Sequence, residues 1–275
     1  DFAIRGWAVP TATDIAFAVG ILALLGKRVP SGLKIFLLTL AVVDDLCAIL
    51  IIALFYTDHL SMASFLIAGF LLGVMWLLNY ARVPKKSVYV FLTFLLWISV
   101  LNSGVHATIA GVLAAFCIPT VDRNGNRMLD EFYHDLEGVT NFFILPIFAF
   151  VNAGVALTGI NPNQLLNSVS YGIFFGLFFG KQLGIFIFTF VFIKILRLGS
   201  LPSGATWTQL YGVCILGGIG FTMSLFVNGL AYENSDKFFF ADKLSILIAS
   251  LASGLFGYLF LYFCSKAKEK KLSKN

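Results

Sequence analysis

Two neighbouring carboxylates interrupt the apolar stretch Leu40-Ala41-Val42-Val43-Asp44-Asp45-Leu46-Cys47-Ala48-Ile49-Leu50. The apolar run around them extends from 33 to 56, which is long enough for a helix to cross a bilayer. An aspartate at the centre of such a helix costs roughly 2.5–3.5 kcal/mol, and such groups usually face a cavity or a charged partner. We therefore interpret the pair as part of an ion or proton pathway, in preference to a structural salt bridge.

The composition of the whole chain agrees with a membrane protein. Of its 275 residues, 59% are hydrophobic and only 12% are charged, so we predict an all-α polytopic protein embedded in the lipid bilayer. Its fourth and fifth apolar segments are short, and a re-entrant pair is the alternative to two separate helices there. The nine predicted spans are at about 7–25, 33–56, 62–80, 88–103, 104–118, 139–158, 169–193, 208–231 and 240–264.

Lysine and arginine are concentrated in alternate loops and in the tail at 265–275. By the positive-inside rule these ends are cytoplasmic, so the C-terminus lies in the cytoplasm and the first span runs inward. This bias holds only when 88–103 and 104–118 cross separately, which favours nine crossings. The basic residues are scattered and are not interleaved with stacking aromatics. Nucleic acid is therefore not expected as a partner, despite the net charge of +5.

Two features limit what else the chain is expected to contain. Its four cysteines lie in or beside apolar segments without C-x-x-C spacing, so they are expected to be neither metal ligands nor parts of disulfides. The chain begins at Asp1, about seven residues before a span, without an initiator methionine or a signal sequence. We therefore expect further residues before it in the parent protein.

The longest polar stretch, 119–138, is predicted to be a solvated cytoplasmic loop with a short surface helix at 129–136. It contains His134 and Glu137 among several other acids. Since histidine titrates near neutrality, the alternative is a cytoplasmic mouth that senses pH. A shorter polar pair, Asp58 and His59, is expected to form an exposed turn.

The first span contains residues that interrupt a helix. Pro10 removes a backbone hydrogen bond, and either Thr13 or Asp14 is suited to cap a helix that restarts after it. A simple proline kink with Asp14 in water is the alternative. Because Asp14 lies about seven residues inside the span, we favour the interruption.

The span at 208–231 contains three glycines within four residues, in Gly217-Gly218-Ile219-Gly220. Glycines give the backbone freedom, and the hydroxyls of Thr222 and Ser224 can satisfy backbone groups that an unwound turn leaves free. A close helix-packing face explains the glycines equally well when this span is considered alone.

Lys181 is a basic residue deep in an apolar span. A buried ammonium needs a carboxylate partner, and the candidates in other spans are Asp14, Asp44 and Asp45. Desolvation favours the neutral forms of both groups and pairing favours their charged forms, so such a site can exchange protons. Neighbours on a helix are about 100° apart. We infer that one of Asp44 and Asp45 faces an ion cavity and the other faces Lys181.

The two interrupted spans stand near opposite ends of the chain. This is expected for an inverted-repeat carrier, in which broken helices meet at the membrane midplane. Half-helix ends there carry partial charges, positive at N-termini and negative at C-termini. Asp14 would offset the positive partial charge at the N-termini, and Lys181 would offset the negative partial charge at the C-termini.

Five motifs occur in order along nearly the whole chain. They are Gly6-Trp7-Ala8-Val9-Pro10-Thr11-Ala12-Thr13-Asp14-Ile15-Ala16-Phe17-Ala18, Val43-Asp44-Asp45-Leu46, Ser103-Gly104-Val105-His106-Ala107-Thr108, Leu145-Pro146-Ile147-Phe148-Ala149-Phe150-Val151-Asn152-Ala153-Gly154 and Gly218-Ile219-Gly220-Phe221-Thr222-Met223-Ser224. Together they closely resemble the NhaA-type sodium/proton antiporters of bacteria. The resemblance implies a twelve-helix inverted-repeat fold in which these nine spans are similar to the fourth to the twelfth, without the first three. It also implies that 7–25 and 208–231 are unwound and cross at the midplane.

The resemblance further implies roles for individual residues. Asp45 would be the principal Na⁺ or Li⁺ ligand, with Asp44 and Thr13 as further ion-binding residues, and Asp44 would carry the proton as the partner of Lys181. The family also implies pH sensing near His134 and Glu137, a homodimer in the full-length protein, and the bacterial inner membrane as the location. The residues implied at the unwound crossing are Pro10, Thr13, Asp14, Gly218, Gly220 and Thr222.

The predicted function is secondary antiport that extrudes Na⁺ or Li⁺ in exchange for H⁺ by alternating access. It would be electrogenic and pH-regulated, would serve Na⁺ and pH homeostasis, and would involve no enzymatic chemistry and no cofactor. One alternative is a Na⁺-coupled symporter of organic anions on a similar scaffold. The other is a retinal-binding photoreceptor with Lys181 as the Schiff base.

The predicted organisation has four parts. A first half of the ion-binding core at 1–57 contains the broken helix 7–25 and the helix 33–56 with the two aspartates. Linking and interface helices with the polar loop 119–138 follow at 58–168. The second half of the core at 169–264 contains the Lys181 helix, the broken helix 208–231 and the last helix, and 265–275 is a basic cytoplasmic tail.

Overall fold

The structure is a computed structural model that describes residues 2–56, 61–154, 167–232 and 241–272. These ranges consist of helices and connecting turns, with no strand. The turn expected at Asp58 and His59 lies outside them, as does the end of the span predicted at 139–158. The chain forms two compact units, residues 1–48 with 149–275 and residues 49–148, which are called here the first and the second unit.

The chain begins with a 3₁₀-helical segment, Phe2–Thr11. The α-helices that follow are α1 Ile15–Leu24, α2 Ser31–Phe55, α3 Met62–Tyr80, α4 Lys86–Ser103, α5 Thr108–Phe116, α6 Met128–Val139, α7 Leu145–Asn152, α8 Ser168–Phe175, α9 Lys181–Phe190, α10 Trp207–Leu216, α11 Phe221–Ala231 and α12 Ala241–Leu272. Single π-helical turns join α6 to α7 at Thr140–Ile144 and α8 to α9 at Gly176–Gly180, and a third follows α9 at Val191–Ile195.

Local sequence signals explain several helix ends. Gly104 ends α4 in the left-handed conformation, with φ at 86°, and glycine tolerates this conformation best because it lacks a Cβ. The side chain of Asn167 caps α8 by accepting a hydrogen bond from the backbone N–H of Ser170. Thr206 and Gln209 form a reciprocal capping box at the start of α10.

Each unit has an apolar core of its own. In the first unit, α1, α2, α10 and α12 contribute buried leucines, including Leu22, Leu37 and Leu261. In the second unit, α3, α4 and α5 pack around residues such as Met75 and Tyr89. Burial of this kind fixes the helices of a unit against one another, which positions the polar groups described below.

Seven helical stretches in the described part of the chain are long and apolar enough to cross a membrane, and the bent pair α10 and α11 makes up to eight. Large apolar side chains on these stretches are highly exposed, for example Phe142 at 86% and Phe150 at 85%. Such exposure is expected of a surface that contacts lipid tails. The described residues are therefore all-α, and the chain is a multi-pass membrane protein.

The span predicted at 104–118 differs from the structure. There the chain forms α5, whose nine residues rise only about 14 Å, less than half of a typical hydrocarbon core of about 30 Å. The surface helix predicted at 129–136 within the polar stretch is present and is longer than expected. From Met128 the chain is helical and continues through the π turn to Asn152 as one 25-residue stretch. Hydropathy alone missed this continuity because α6 carries acids in its first turn.

Candidate functional site

The first interruption lies in the first unit, between the 3₁₀ segment and α1. Pro10 stands at the end of the 3₁₀ segment, and α1 begins at Ile15. Asp14 is the N-cap of α1, and its Oδ1 accepts a hydrogen bond from the backbone N–H of Phe17 at 3.0 Å. The interruption falls at the residues for which the sequence predicted one. Asp14 is only 3% exposed, so it does not project into water.

The second interruption separates α10 from α11, whose axes are bent by 46°. Gly217 and Gly220 have negative φ angles of −58° and −94°, which other residues also adopt. At Gly218 an added Cβ would lie 2.6 Å from the carbonyl oxygen of Leu177 and from Ser253 Oγ. These glycines are therefore explained by the close approach of neighbouring groups and not by a left-handed backbone.

The two interruptions contact each other directly. The backbone N–H of Asp14 donates to the carbonyl oxygen of Ile219 at 2.7 Å. In return, Asp14 Oδ2 accepts hydrogen bonds from the backbone N–H of Thr222, at 3.0 Å, and from the Thr222 hydroxyl. Thr13 Oγ1 lies 3.2 Å from the carbonyl oxygen of Gly217. Backbone groups that one unwound turn leaves without a helical partner are thus satisfied by the other interrupted segment.

Two serine hydroxyls complete this pattern. Ser224 Oγ donates to the carbonyl oxygen of Val9 at 2.8 Å, as expected of a hydroxyl placed after the glycines. Ser250, on α12, accepts a hydrogen bond from the backbone N–H of Phe221 at 3.0 Å and so serves the first residue of α11. Sequence reasoning missed Ser250. The sequence signal that could have indicated it was the presence of three serines, at 245, 250 and 253, in one apolar helix.

Lys181, at the start of α9, points at the place where the two interruptions, 11–14 and 217–220, contact each other. This place is called here the crossing. Its Nζ lies 3.0 Å from Asp44 Oδ2 and donates hydrogen bonds to the Thr11 carbonyl oxygen, at 2.7 Å, and to Thr13 Oγ1. Asp44 Oδ2 also lies 2.7 Å from Thr13 Oγ1. The Lys181 side chain is 8% exposed and that of Asp44 is 21% exposed. A charged pair this far out of water is held by several polar contacts at once.

Asp45 has different surroundings from its neighbour. It makes no ion pair with the described residues, and its Oδ1 is buried without a hydrogen-bond partner. Buried carboxylate oxygens are normally satisfied, so this one is an exception. The two aspartates therefore have different surroundings: Asp44 contacts Lys181, whereas Asp45 Oδ1 has no hydrogen-bond partner among the described residues.

The residues predicted to sense pH lie in the second unit, on α6. His134 Nδ1 is 3.9 Å from Glu137 Oε2, and the Tyr133 hydroxyl donates to Glu137 Oε1 at 3.1 Å. All three side chains are largely exposed, with His134 at 73%. Lys86 bridges the neighbouring acids Glu131 and Asp135 at 2.9 and 2.7 Å. The structure brings these groups together with one another, and their pH sensing stays a prediction.

The described residues contain no group of three or more His, Cys, Asp or Glu that could hold a resident metal ion. The oxygens at the crossing come instead from two aspartates, threonine hydroxyls and unwound backbone. Such an all-oxygen set suits a hard cation. Broken helices that present backbone and carboxylate groups inside a membrane are typical of secondary carriers.

Comparison with known proteins decides between the classes of carrier. The sequence model of a family described as Na⁺/H⁺ antiporter 1 matches residues 1–261. The chain belongs to this family. Its members are transporters and not enzymes, so the Na⁺/H⁺ antiporter 1 family gives no support to a retinal-binding photoreceptor or to an organic-anion symporter.

Relatives within the Na⁺/H⁺ antiporter 1 family are similar over the full chain. A Na⁺/H⁺ antiporter NhaA 2 of Campylobacter fetus is 63% identical over 100% of this chain and 70% of its own length. A Na⁺/H⁺ antiporter NhaA of Campylobacter curvus is 56% identical over 98% of this chain and 68% of its own length. A Na⁺/H⁺ antiporter NhaA 1 of Campylobacter jejuni is 55% identical over 95% of this chain and 67% of its own length.

Proposed function

We propose that this chain exchanges Na⁺ or Li⁺ for H⁺ by alternating access, with Asp45 as the principal cation ligand. The single observation that carries the assignment is the contrast between the two neighbouring aspartates. Asp44 is engaged by Lys181 at 3.0 Å, whereas Asp45 Oδ1 is buried and has no hydrogen-bond partner in the described part of the chain. A buried oxygen of this kind is suited to bind a dehydrated hard cation.

Asp44 is proposed as the proton carrier. When a proton binds Asp44, its attraction to Lys181 is lost, and the ammonium keeps its hydrogen bonds to Thr11 and Thr13. Proton binding at Asp44 and cation binding at Asp45 then compete, because each adds a positive charge to the same low-dielectric site. Protonation on one side of the membrane therefore favours release of the cation on that side.

Asp14 and Thr13 are proposed to stabilise the crossing without binding the cation as the main ligand. Asp14 supplies a negative charge at the start of α11 and α1, where half-helix ends carry positive partial charge. Lys181 supplies a positive charge beside the carbonyl oxygen of Thr11, at the end of the 3₁₀ segment. Pro10, Gly218, Gly220 and Thr222 keep the two turns unwound and close.

The wider setting follows from the family and from the charge bias. We propose nine crossings of a twelve-helix inverted-repeat fold, one of them made by the short helix α5 together with the non-helical residues beside it. We also propose a cytoplasmic C-terminus, the bacterial inner membrane and a homodimer in the full-length protein. Outward transport of Na⁺ driven by inward movement of protons would serve Na⁺ and pH homeostasis. The exposed cluster of His134 and Glu137 is proposed to set the pH range.

The assignment is tested by dissipation of a pH gradient in everted membrane vesicles from cells that express the protein. Addition of Na⁺ or Li⁺, but not K⁺, is expected to collapse the gradient for wild type and to have no effect for Asp45→Asn. Asp130→Asn is the matched control, because Asp130 lies on the surface in a pair with Arg127. Wild-type activity in Asp45→Asn would refute the assignment.

Net charge movement has its own test. If Asp44 and Asp45 both release protons for each cation bound, transport moves one net charge per cycle. The rate in sealed proteoliposomes is then expected to rise or fall with an imposed K⁺ diffusion potential, according to its sign. A rate that does not respond to the potential would contradict electrogenic exchange and would leave the ligand assignment unaffected.

A further inference from the structure

A second buried polar pair lies at the far end of α11 from its interruption. Asn228 Nδ2 donates a hydrogen bond to Asp242 Oδ2, in the first turn of α12, at 2.6 Å. Asn228 is 1% exposed and Asp242 is 7% exposed. Neither residue belongs to a motif that the sequence pointed to, and neither touches the pair formed by Lys181 and Asp44 among the described contacts.

This pair is incompletely satisfied. Asn228 Oδ1 is buried and has no hydrogen-bond partner, and Asp242 makes no ion pair with the residues that the structure describes. A buried amide carbonyl without a partner costs about 1–3 kcal/mol, so its presence needs an explanation. A carboxylate beside a free carbonyl oxygen is the kind of donor set that hard cations prefer.

Buried polar atoms connect this pair with the interruption. Asn228 lies seven residues after Phe221, about 10 Å along α11. Ser224 stands between them, one turn before Asn228 on the same face, and is fully buried. On α12, Ser250 contacts the start of α11, and Ser253, fully buried beside Gly218, has an Oγ without a hydrogen-bond partner among the described residues. Two of these buried polar side chains, Asn228 and Ser253, thus have an oxygen without a described hydrogen-bond partner.

We propose that Asp242 and Asn228 form a second cation site, which holds transported Na⁺ or Li⁺ between the crossing and the outer end of the carrier. The charge bias of the loops assigns this end of α12 to the outside. The inference rests on the proposed antiport function, since the site would bind the same ion. A purely structural hydrogen bond between the two side chains is the competing explanation.

Asp242→Asn separates these explanations. The new amide oxygen still accepts a hydrogen bond from Asn228 Nδ2, so a structural role is kept while the negative charge is lost. A second variant, Asn228→Asp with Asp242→Asn, moves the carboxylate to the other side of the pair and is expected to restore cation binding. Ser245→Ala is the matched control, because Ser245 is a nearby buried residue on α12 whose described hydrogen bond lies within its own helix, to the Ala241 carbonyl oxygen.

Binding is measured as the rise in melting temperature of the purified protein when choline chloride is replaced by NaCl. Because the second site does not need Asp45, Asp45→Asn is expected to keep part of this rise, and Asp45→Asn with Asp242→Asn is expected to lose it. The proposal would be overturned if Na⁺ did not raise the melting temperature of Asp45→Asn, or if it raised that of the single and the double variant equally. Failure of the proposed function would appear separately, as transport by Asp45→Asn.

Transport from the two sides gives a second readout. For Asp242→Asn, the KM for external Na⁺ in right-side-out vesicles is expected to rise at least about fivefold, a typical size for coupling between sites. The KM for Na⁺ in everted vesicles is expected to stay within about twofold, as for Ser245→Ala on both sides. An equal change on both sides, a change confined to everted vesicles, or a lower melting temperature as the only effect would contradict the proposal.

Discussion

The side chain of Asp14 serves the N-termini of two helices at once through its contacts with Thr222 and Phe17. Oδ1 accepts the backbone N–H of Phe17 in α1, and Oδ2 accepts the backbone N–H and the hydroxyl of Thr222 in α11. Both helix ends carry positive partial charge, so one carboxylate offsets two half-helix dipoles. This one side chain therefore links the helix starts of two interrupted stretches that are about 200 residues apart in sequence.

Asp14→Asn is expected to destabilise the protein, because an amide nitrogen cannot accept a hydrogen bond and one of the two helix ends loses its cap. The expected loss is about 1–3 kcal/mol, measured as a fall in melting temperature in detergent. Thr222→Val removes only the hydroxyl and keeps the backbone N–H, so its fall is expected to be smaller. A melting temperature equal to wild type for Asp14→Asn would contradict the double cap.

Removal of one partner from the buried ion pair is expected to be more damaging than removal of both. Lys181→Ala leaves the Asp44 carboxylate uncompensated at low exposure, which costs roughly 3–5 kcal/mol for a buried pair. Lys181→Ala combined with Asp44→Ala is expected to recover part of that loss. A double-mutant cycle of unfolding free energies measures the coupling. Additive effects would show that the two groups do not interact.

Gly218→Ala is expected to disrupt the crossing, because the new methyl group would meet the Leu177 carbonyl oxygen and Ser253 Oγ at 2.6 Å. Gly229→Ala is the control within α11, since nothing lies within 4 Å of its added Cβ. The control is expected to be neutral or to stabilise the helix by up to about 1 kcal/mol. Melting temperature and Na⁺-dependent transport of the two variants are compared. Equal behaviour would refute the close-packing explanation for Gly218.

Ser250→Ala is expected to leave the backbone N–H of Phe221 without an acceptor at the start of α11. An unsatisfied buried N–H costs about 1–3 kcal/mol. Ser245→Ala, one to two turns earlier on α12, removes a hydroxyl whose described hydrogen bond lies within its own helix, and it is expected to have little effect. Hydrogen exchange at Phe221 and the melting temperature are the measurements. Equal stability of the two variants would show that Ser250 does not cap α11.

The interruptions were predictable from the sequence because their signals are local. Pro10 followed by Thr13 and Asp14 needs no knowledge of the fold, and neither does a cluster of glycines in an apolar span. Helix geometry also predicts that Asp44 and Asp45 face different ways. Which of them meets Lys181 depends on the rotation of α2 in its bundle, which periodicity does not determine. The family resemblance implied Asp44, and the structure has Asp44 at 3.0 Å.

Other features depend on packing between distant segments. Ser250 and Asp242 are unremarkable in sequence, and their importance appears only when α12 lies beside α11. Hydropathy also treated 104–118 as a span, because length and polarity do not reveal that the helix starts only at Thr108. In the same way, the acids of α6 masked a helix that continues into α7.

The π turn at Gly176–Gly180, directly before Lys181, has a consequence for comparing relatives. The backbone N–H of Lys181 bonds to the carbonyl oxygen of Gly176, five residues earlier, so this turn holds one residue more than an α-helical turn. A helical wheel counted from Ser168 therefore assigns Lys181 to a face about 100° from its true one. A relative that is one residue shorter between 176 and 180 would close the turn as ordinary α-helix and keep its lysine on the same face. A one-residue gap there is a difference in backbone winding and not a displaced lysine.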